Sequence, residues 1–333
     1  MRPARLINPL RAVAVAAAVM LVPVQAASAA PARPAAASDA RTEVTVSPVD
    51  LDGPAISEVE VTVRNTAPQR LRSLKVSFAG PVGWAVQPSV TSVGGSLATG
   101  ASASATFRVQ VPEKRSGFVL RTFTATAVYQ GGDGRGTATG TRTESSGSPL
   151  ANLAAAYNGV AITDESATTA GDYDGEGNTF SAQRLAAAGL TPGATVEALG
   201  ARLTWPDVAA GSNDNVASSG QAVELSGKGA ELVFLGSGVG SGATGNATVF
   251  YTDGTSGTGS FGFPNWSFDP VTAHGATLVK STDGRNRPGG YGDASVKYSV
   301  FANSVPLDAS RTVAFVVLPA NANVHIFDMA IAP

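Results

Sequence analysis

The sequence predicts an all-β protein of two sandwiches, the first immunoglobulin-like and the second jelly-roll-like, behind an export signal. Three observations carry that expectation. Runs in which apolar and polar residues alternate, the period of a half-buried strand, recur along most of the chain. The 38 Gly and 20 Pro among 333 residues break those runs with turns, while 43% hydrophobic residues leave enough material for cores. Only one short stretch, SAQRLAAAGL, has helical spacing.

In chain order, the first element is a targeting segment. Arg2, Arg5 and Arg11 form a positive start, Ala12 to Val24 is an apolar run, and Ala27-Ser28-Ala29 supplies a small-x-small cleavage pattern. A signal peptide over 1–29 and a flexible Ala/Pro leader over 30–41 are expected, hence a secreted protein. The apolar run is too short to span a bilayer, nothing downstream approaches ~20 uninterrupted apolar residues, and the terminal HIFDMAIAP carries no anchor pattern. Removing the three signal arginines from 23 Lys+Arg against 25 Asp+Glu leaves 20 against 25, a formal charge of −5. That balance offers no basic patch for nucleic acid or anionic lipid, and a monomer is expected. The absence of cysteine removes disulfides, thiol catalysis and Cys-based metal sites.

The first module spans 42–145. SEVEVTVRN places Val59, Val61 and Val63 on one face, and the same period recurs in LRSLKVSFA, ASATFRVQV and LRTFTATAVY, after an opening TEVTVSP. The turn clusters NTAPQ, AGPVG, SVGG and QGGDGRG lie between or after them. Such spacing over roughly a hundred residues argues an immunoglobulin-like sandwich. Trp84, in a Gly-Trp turn, reads as a plug under the sandwich end or as a sugar-stacking platform.

With Asn65-Thr66 after a strand, Gly83-Trp84 followed by Val86 and Pro88, the Leu97-Ala98-Thr99-Gly100 turn and Val111-Pro112 closing a long strand, residues 43–145 resemble the NEW3 domain, a sandwich module found beside α-galactosidase and other glycosidase domains. The resemblance implies an accessory role and supplies no catalytic residue.

A linker over 146–149, within SSGSP, leads to the second module, 150–333. AAAYNGVAIT, ATVEALGARLTW, QAVELSG, AELVFLG, ATVFYTDG, GSFGFPNW, VKYSVFANSV, RTVAFVVLP and HIFDMAIA all read as strands. A helix is expected over Ser181–Leu190, ended by Gly189. The order of YNGVAITDES, DYDGEGNTFSAQRLAAAGLTPGA, TWPDVAAGSNDNV, FPNW and the terminal HIFDMAIA resembles a β-sandwich appended to secreted actinobacterial glycosidases. That resemblance implies an association with carbohydrate enzymes and no residue roles.

The segment DYDGEGN has two readings. As a calcium loop it offers Asp172, Asp174 and Glu176 at alternate positions, with Asn178 as a further oxygen donor and Gly177 where a sharp turn is needed. Gln183 stands where a bidentate carboxylate belongs, so a structural Ca²⁺ would need ligands from other loops. As a turn, it precedes the helix with Asn178 or Thr179 as cap. A phosphate cradle is excluded, because GEGNTF lacks a Lys and its acidic neighbours repel the ligand.

Catalysis finds little support. His325 lies in the apolar NVHIFDMAI and reads as a core or edge histidine, His274 as a loop residue, and no nucleophile elbow accompanies either. Glycoside hydrolysis needs two carboxyl groups about 5 to 9 Å apart. Glu197, Glu224 and Glu231, on strands among small and aliphatic residues, read as exposed-face positions. Sugar binding needs a flat aromatic with planar polar groups at its edge. Trp266 with Asn265, Asp253, and Arg285, Asn286 and Tyr291 supply those types, while Trp205 reads as core. The expectation is therefore a secreted, non-catalytic accessory protein whose partners are a polysaccharide and a separate glycosidase. Its rivals are a glycosidase with a cryptic site in the second module and a structural surface protein. No cofactor is expected beyond the structural calcium.

Overall fold

The first module turns sequence alternation directly into two faces. The structure, a computed structural model, describes residues 41–114 and 117–333; the signal segment and the leader up to residue 40 lie outside the described residues. Eight strands follow in order: β1 (Thr42–Val46), β2 (Ala55–Asn65), β3 (Leu71–Ala79), β4 (Val86–Gln87), β5 (Val90–Ser92), β6 (Ser102–Val111), β7 (Val119–Gly131) and β8 (Thr137–Ser146). They form two four-stranded sheets, β1-β2-β6-β4 and β5-β3-β7-β8, packed face to face as an immunoglobulin-like sandwich requires. Val59, Val61 and Val63 point inward and are fully buried, against Phe107 and Val109 on the neighbouring strand and Val76 and Phe123 across the sandwich. In the centre the Phe78 ring stacks on Phe123 at 5.9 Å and meets Phe107 at a tilt at 5.5 Å.

Strand β8, TATGTRTESS, was not legible from the sequence. Its inward positions include Ala138 and Gly140, and Gly140 lets the backbone of β1 come so close that a Cβ would overlap the Val44 carbonyl. A strand built from small and hydroxyl residues has no apolar alternation to betray it.

The second module contains β9 (Ile162–Thr163), β10 (Phe180–Ser181), the helix α1 (Ala182–Ala187), β11 (Thr195–Ala198), β12 (Ala201–Thr204), β13 (Val216–Ala217), β14 (Ala222–Gly227), β15 (Glu231–Gly238), β16 (Thr244–Tyr251), β17 (Ser256–Gly262), β18 (Thr277–Arg287), β19 (Gly290–Pro306), β20 (Val313–Val317) and β21 (Val324–Ala332). A five-stranded sheet, β13-β21-β15-β19-β18, packs on a four-stranded sheet, β14-β20-β16-β17. The core between them holds Leu232, Phe234, Phe301 and Ile326. A second core, with Val233, Leu235, Val300 and Phe327, lies on the other face of the five-stranded sheet beneath α1 and the β11–β12 hairpin. The central strands are therefore apolar on both faces, which is why ELVFLG reads as a continuous run rather than an alternation.

Two expectations are corrected. AAAYNGVAIT supplies only the two-residue β9 after a 3-10 turn, and the polar β18, not anticipated, forms the sheet edge. The helix forms, but its cap is Ser181, whose Oγ accepts from the Arg184 N–H at 3.2 Å, rather than Asn178 or Thr179. It ends where Gly189 takes φ +89° and the Leu190 N–H reaches back to the Leu185 carbonyl at 2.9 Å.

The linker is tied at its far end. Leu150 donates to the Ala222 carbonyl and accepts from the Glu224 N–H, both at 2.8 Å, extending the edge of β14. Phe118 of the first module meets Phe315 of the second edge to face at 5.2 Å. Among the described residues, no helix is long and apolar enough to cross a membrane.

Candidate functional site

The DYDGEGN loop is built on its own amides. Asp172 Oδ1 accepts from the N–H groups of Gly175 and Gly177 at 2.8 and 2.9 Å, and Asp174 Oδ1 from those of Glu176 and Asn178 at 3.0 and 3.2 Å. The Asn178 side-chain amide donates to Asp174 Oδ2 at 2.9 Å, so Asn178 serves the turn. Asp side chains bonded to following backbone N–H groups are the geometry of Asx turns, and Gly175 and Gly177 supply the left-handed conformations at φ +82° and +77°. Tyr173, buried between the two aspartates, anchors the loop in the core. Among the described residues, no group of three or more His, Asp and Glu side chains is placed to hold a metal.

Opposite this loop stands FPNWSF. Trp266, a candidate stacking platform, is instead core: it is 2% exposed and sits among Tyr298, Phe180 and Tyr173 with ring centroids at 4.6, 4.8 and 5.1 Å. Backbone bonds from its N–H to Gly238 and from Ser299 to its carbonyl bind it into the sheet. Asn265 is also buried and shapes the turn, its Nδ2 donating to the Gly240 carbonyl and its Oδ1 accepting from the Ser267 N–H. The aromatic that emerges is Phe268, 69% exposed. The sequence signal for it is a Phe flanked by Ser and Asp, which the Trp two residues before it masks.

Arg285 closes the third side. Its Nε donates to Asp293 Oδ2 at 2.8 Å, its Nη1 lies 3.4 Å from Asp174 Oδ2, and its guanidinium lies 5.6 Å from the centre of the Tyr298 ring. The bond from Arg285 holds the Asp293 carboxyl below its ordinary range, and burial pushes the Tyr298 phenol up. Asp174, Glu176, Ser267, Phe268, Arg285 and Tyr298 together line a cleft of about 300 Å³ floored by Asn265 and Trp266.

The remaining candidates fall outside it. Asn286 is fully buried and ties β18 to Thr163 through its Nδ2 at 2.9 Å, a role inside the fold rather than at a ligand. Tyr291 donates to the Asp283 carbonyl and carries the Arg184 guanidinium over its ring at 4.4 Å. Asp253 caps the β16–β17 turn by accepting from the Thr255 N–H at 3.0 Å and pairs with Arg311, away from the cleft.

Glu197, Glu224 and Glu231 are exposed on β11, β14 and β15, as their neighbours suggested. Trp205 is core, 1% exposed with its ring 4.7 Å from Phe327. His325 is buried, and burial lowers its pKa to about 4. His274 is exposed in a loop. The cleft thus offers an exposed aromatic, a planar guanidinium and carboxylates, groups that stack on and hydrogen-bond a polyol.

The comparisons with known proteins agree with the two-module architecture. Residues 55–130 match the model described as the NPCBM-associated, NEW3 domain of α-galactosidase. Residues 149–333 match the AziU2-like β-sandwich domain. No curated protein matches the chain. Among solved structures, the secreted serine protease VesC from Vibrio cholerae aligns over 85% of this chain and 52% of its own, with 11% identity and a TM-score of 0.24. The chain therefore spans about half the length of that protein, and the likeness is too loose to inform the fold. With more than half of its length matched by one family model, behind a NEW3 domain, the chain belongs to the AziU2-like β-sandwich family.

Proposed function

We propose that this chain is a secreted, non-catalytic accessory protein that binds a neutral glycan in the Phe268 cleft and acts as a monomer beside a separate glycosidase. The observation that carries the reading is Phe268, an exposed aromatic beside Arg285, Asp174, Glu176 and Ser267 in one cleft. A pyranose ring lays its C–H face on an aromatic and presents hydroxyls at its edge, where planar charged groups fix orientation. The NEW3 domain, described by its occurrence in α-galactosidase, supports the association with carbohydrate. The ligand is neutral because Arg285 is already paired with Asp293 and Asp174, while Glu176 adds exposed negative charge. The reading is non-catalytic because Asp174 is held by amides and by Arg285, which leaves Glu176 without an opposed acid partner in the cleft.

The test is co-sedimentation of the mature chain with insoluble neutral polysaccharides, alongside a screen for released sugar. Phe268→Ala is expected to lower bound protein by about tenfold, the worth of one aromatic stacking contact, with no sugar released by either protein. Release of sugar would favour the glycosidase reading. Absence of binding to every polysaccharide would favour the structural one.

A further inference from the structure

The first module carries a cavity of its own at the end of the sandwich. It has a volume of about 280 Å³ and is walled by Trp84, Pro81, Leu51 and Pro112, with Arg121 and Lys114 at its polar side. The size is close to the lower end of ordinary small-ligand pockets, roughly 300 Å³. Trp84 is held there by local structure: its N–H donates to the Pro81 carbonyl at 3.0 Å, Gly83 before it takes φ +86°, and its ring meets Phe123 edge to face at 5.8 Å. Unlike Trp205 and Trp266, it is only half-buried.

Arg121 is the second component. Its guanidinium lies 6.0 Å from the Trp84 ring centre and donates to the Leu120 carbonyl at 3.2 Å, and no carboxylate among the described residues pairs with it. The other charges at the cavity are Lys114, paired with Asp52 at 3.0 Å, and Glu113. Counted with Asp52, which pairs with Lys114, these charges balance, and Arg121 is the cation at the cavity that has no carboxylate partner among the described residues. A guanidinium with open donors beside an aromatic is matched by a planar carboxylate attached to a ring, since the fork takes two oxygens at once and the ring covers apolar wall.

We propose that this cavity is a second glycan subsite, specific for an acidic sugar, a uronate whose carboxylate pairs with Arg121 while its ring packs on Trp84. The proposal rests on the glycan reading of the second module and deepens it: one chain would hold neutral and acidic regions of a polysaccharide at two different sites. Two linked weak sites raise the effective affinity for a mixed polymer well above either alone.

The experiment titrates the full mature chain with short galacturonate oligomers and with the same oligomers methyl-esterified, following tryptophan fluorescence. Trp205 is buried in the core and Trp266 floors the Phe268 cleft, so a ligand-dependent change that persists in Phe268→Ala reports Trp84. Free-acid oligomers are expected to change the emission and to bind at least tenfold more tightly than the esters, with affinity falling as salt rises. Arg121→Gln should remove that preference while sedimentation with neutral polysaccharide is unchanged. Equal binding of acid and ester, or wild-type affinity in Arg121→Gln, would overturn the proposal. The acid–ester comparison on the unmodified chain decides the matter even if the variant fails to fold. If no galacturonate binds but neutral polysaccharide still does, this subsite is wrong and the Phe268 reading stands; if neither binds, both are wrong.

Discussion

His325 and Asp214 are joined through a single side chain, and the join sets the tautomer of the imidazole. Asn215 Nδ2 donates to Asp214 Oδ1 at 2.8 Å, so Asn215 Oδ1 is the atom left to accept from His325 Nδ1 at 2.7 Å, and the neutral imidazole carries its proton on Nδ1. Burial pushes Asp214 up to about 6 and His325 down to about 4, from ordinary values of 3.8 and 6.5. Between about pH 4 and 6.5 the unfolded His325 holds a proton that the native one lacks, so this group makes stability rise with pH. Between 3.8 and about 6 native Asp214 keeps a proton that the unfolded one has lost, so its contribution falls with pH. The two nearly cancel in the intact protein. His325→Gln removes one of them, and the stability gap between wild type and variant should widen by about 3 kcal/mol as pH rises from 4 to 6.5. Urea unfolding at a series of pH values measures the gap, and one that stayed constant would contradict a buried neutral histidine. The DYDGEGN loop gives a second test at this scale. Asp174→Ala leaves the Asn178 amide and the Arg285 guanidinium short of an acceptor and should cost about 1–3 kcal/mol. Because Asp172 and Asp174 are engaged by the loop's own N–H groups, EDTA should leave the melting temperature where it was. A reversible fall of several degrees, restored by Ca²⁺, would favour the calcium loop instead.

Among the elements, alternation decided what could be read ahead of the structure. β2 and β6 announce themselves because Val59, Val61 and Val63 face Phe107, Ala105 and Ala103 in register. β8 and β18 stay silent because their pairing is carried by backbone and their side chains are mostly polar. AAAYNGVAIT misled in the opposite direction, since small apolar residues suit a 3-10 turn as well as a strand. The same limit applies to the cleft: the residue types of FPNWSF and DGRNR pointed to the right loops, yet which aromatic turns outward depends on the core beneath, and Trp266 fills it. At α1 the cap is testable. The Ser181 hydroxyl accepts from the Arg184 N–H and donates to Glu165 Oε1 at 2.8 Å, so Ser181→Ala should cost about 1–2 kcal/mol by thermal or denaturant unfolding. A change within a few tenths would show that the cap contributes nothing.

Among the described residues there are three separate cores, one in the first module and two in the second, and none draws residues from both modules. Yet Arg41–Pro333 form one compact unit, with Leu150 paired to β14 and Phe118 against Phe315. A polar linker such as SSGSP suggests freedom, and sequence alone could not show that the next residue adds to a sheet edge. Because the cores are separate, fragments 41–148 and 149–333 should each melt cooperatively, and loss of cooperativity in either would mean that the shared contacts are essential to folding. The Phe268 cleft is the proposed glycan site, and hydrogen exchange locates a ligand on the intact chain. With soluble neutral fragments of β-glucan, xylan and galactan, each added in excess, exchange should slow in Tyr173–Asn178 and Asn265–Asp269 for at least one sugar, and stay unchanged at the β16–β17 turn that carries Asp253. Unaltered exchange in both loops with every sugar, or protection confined to the Asp253 turn, would contradict a glycan site in this cleft.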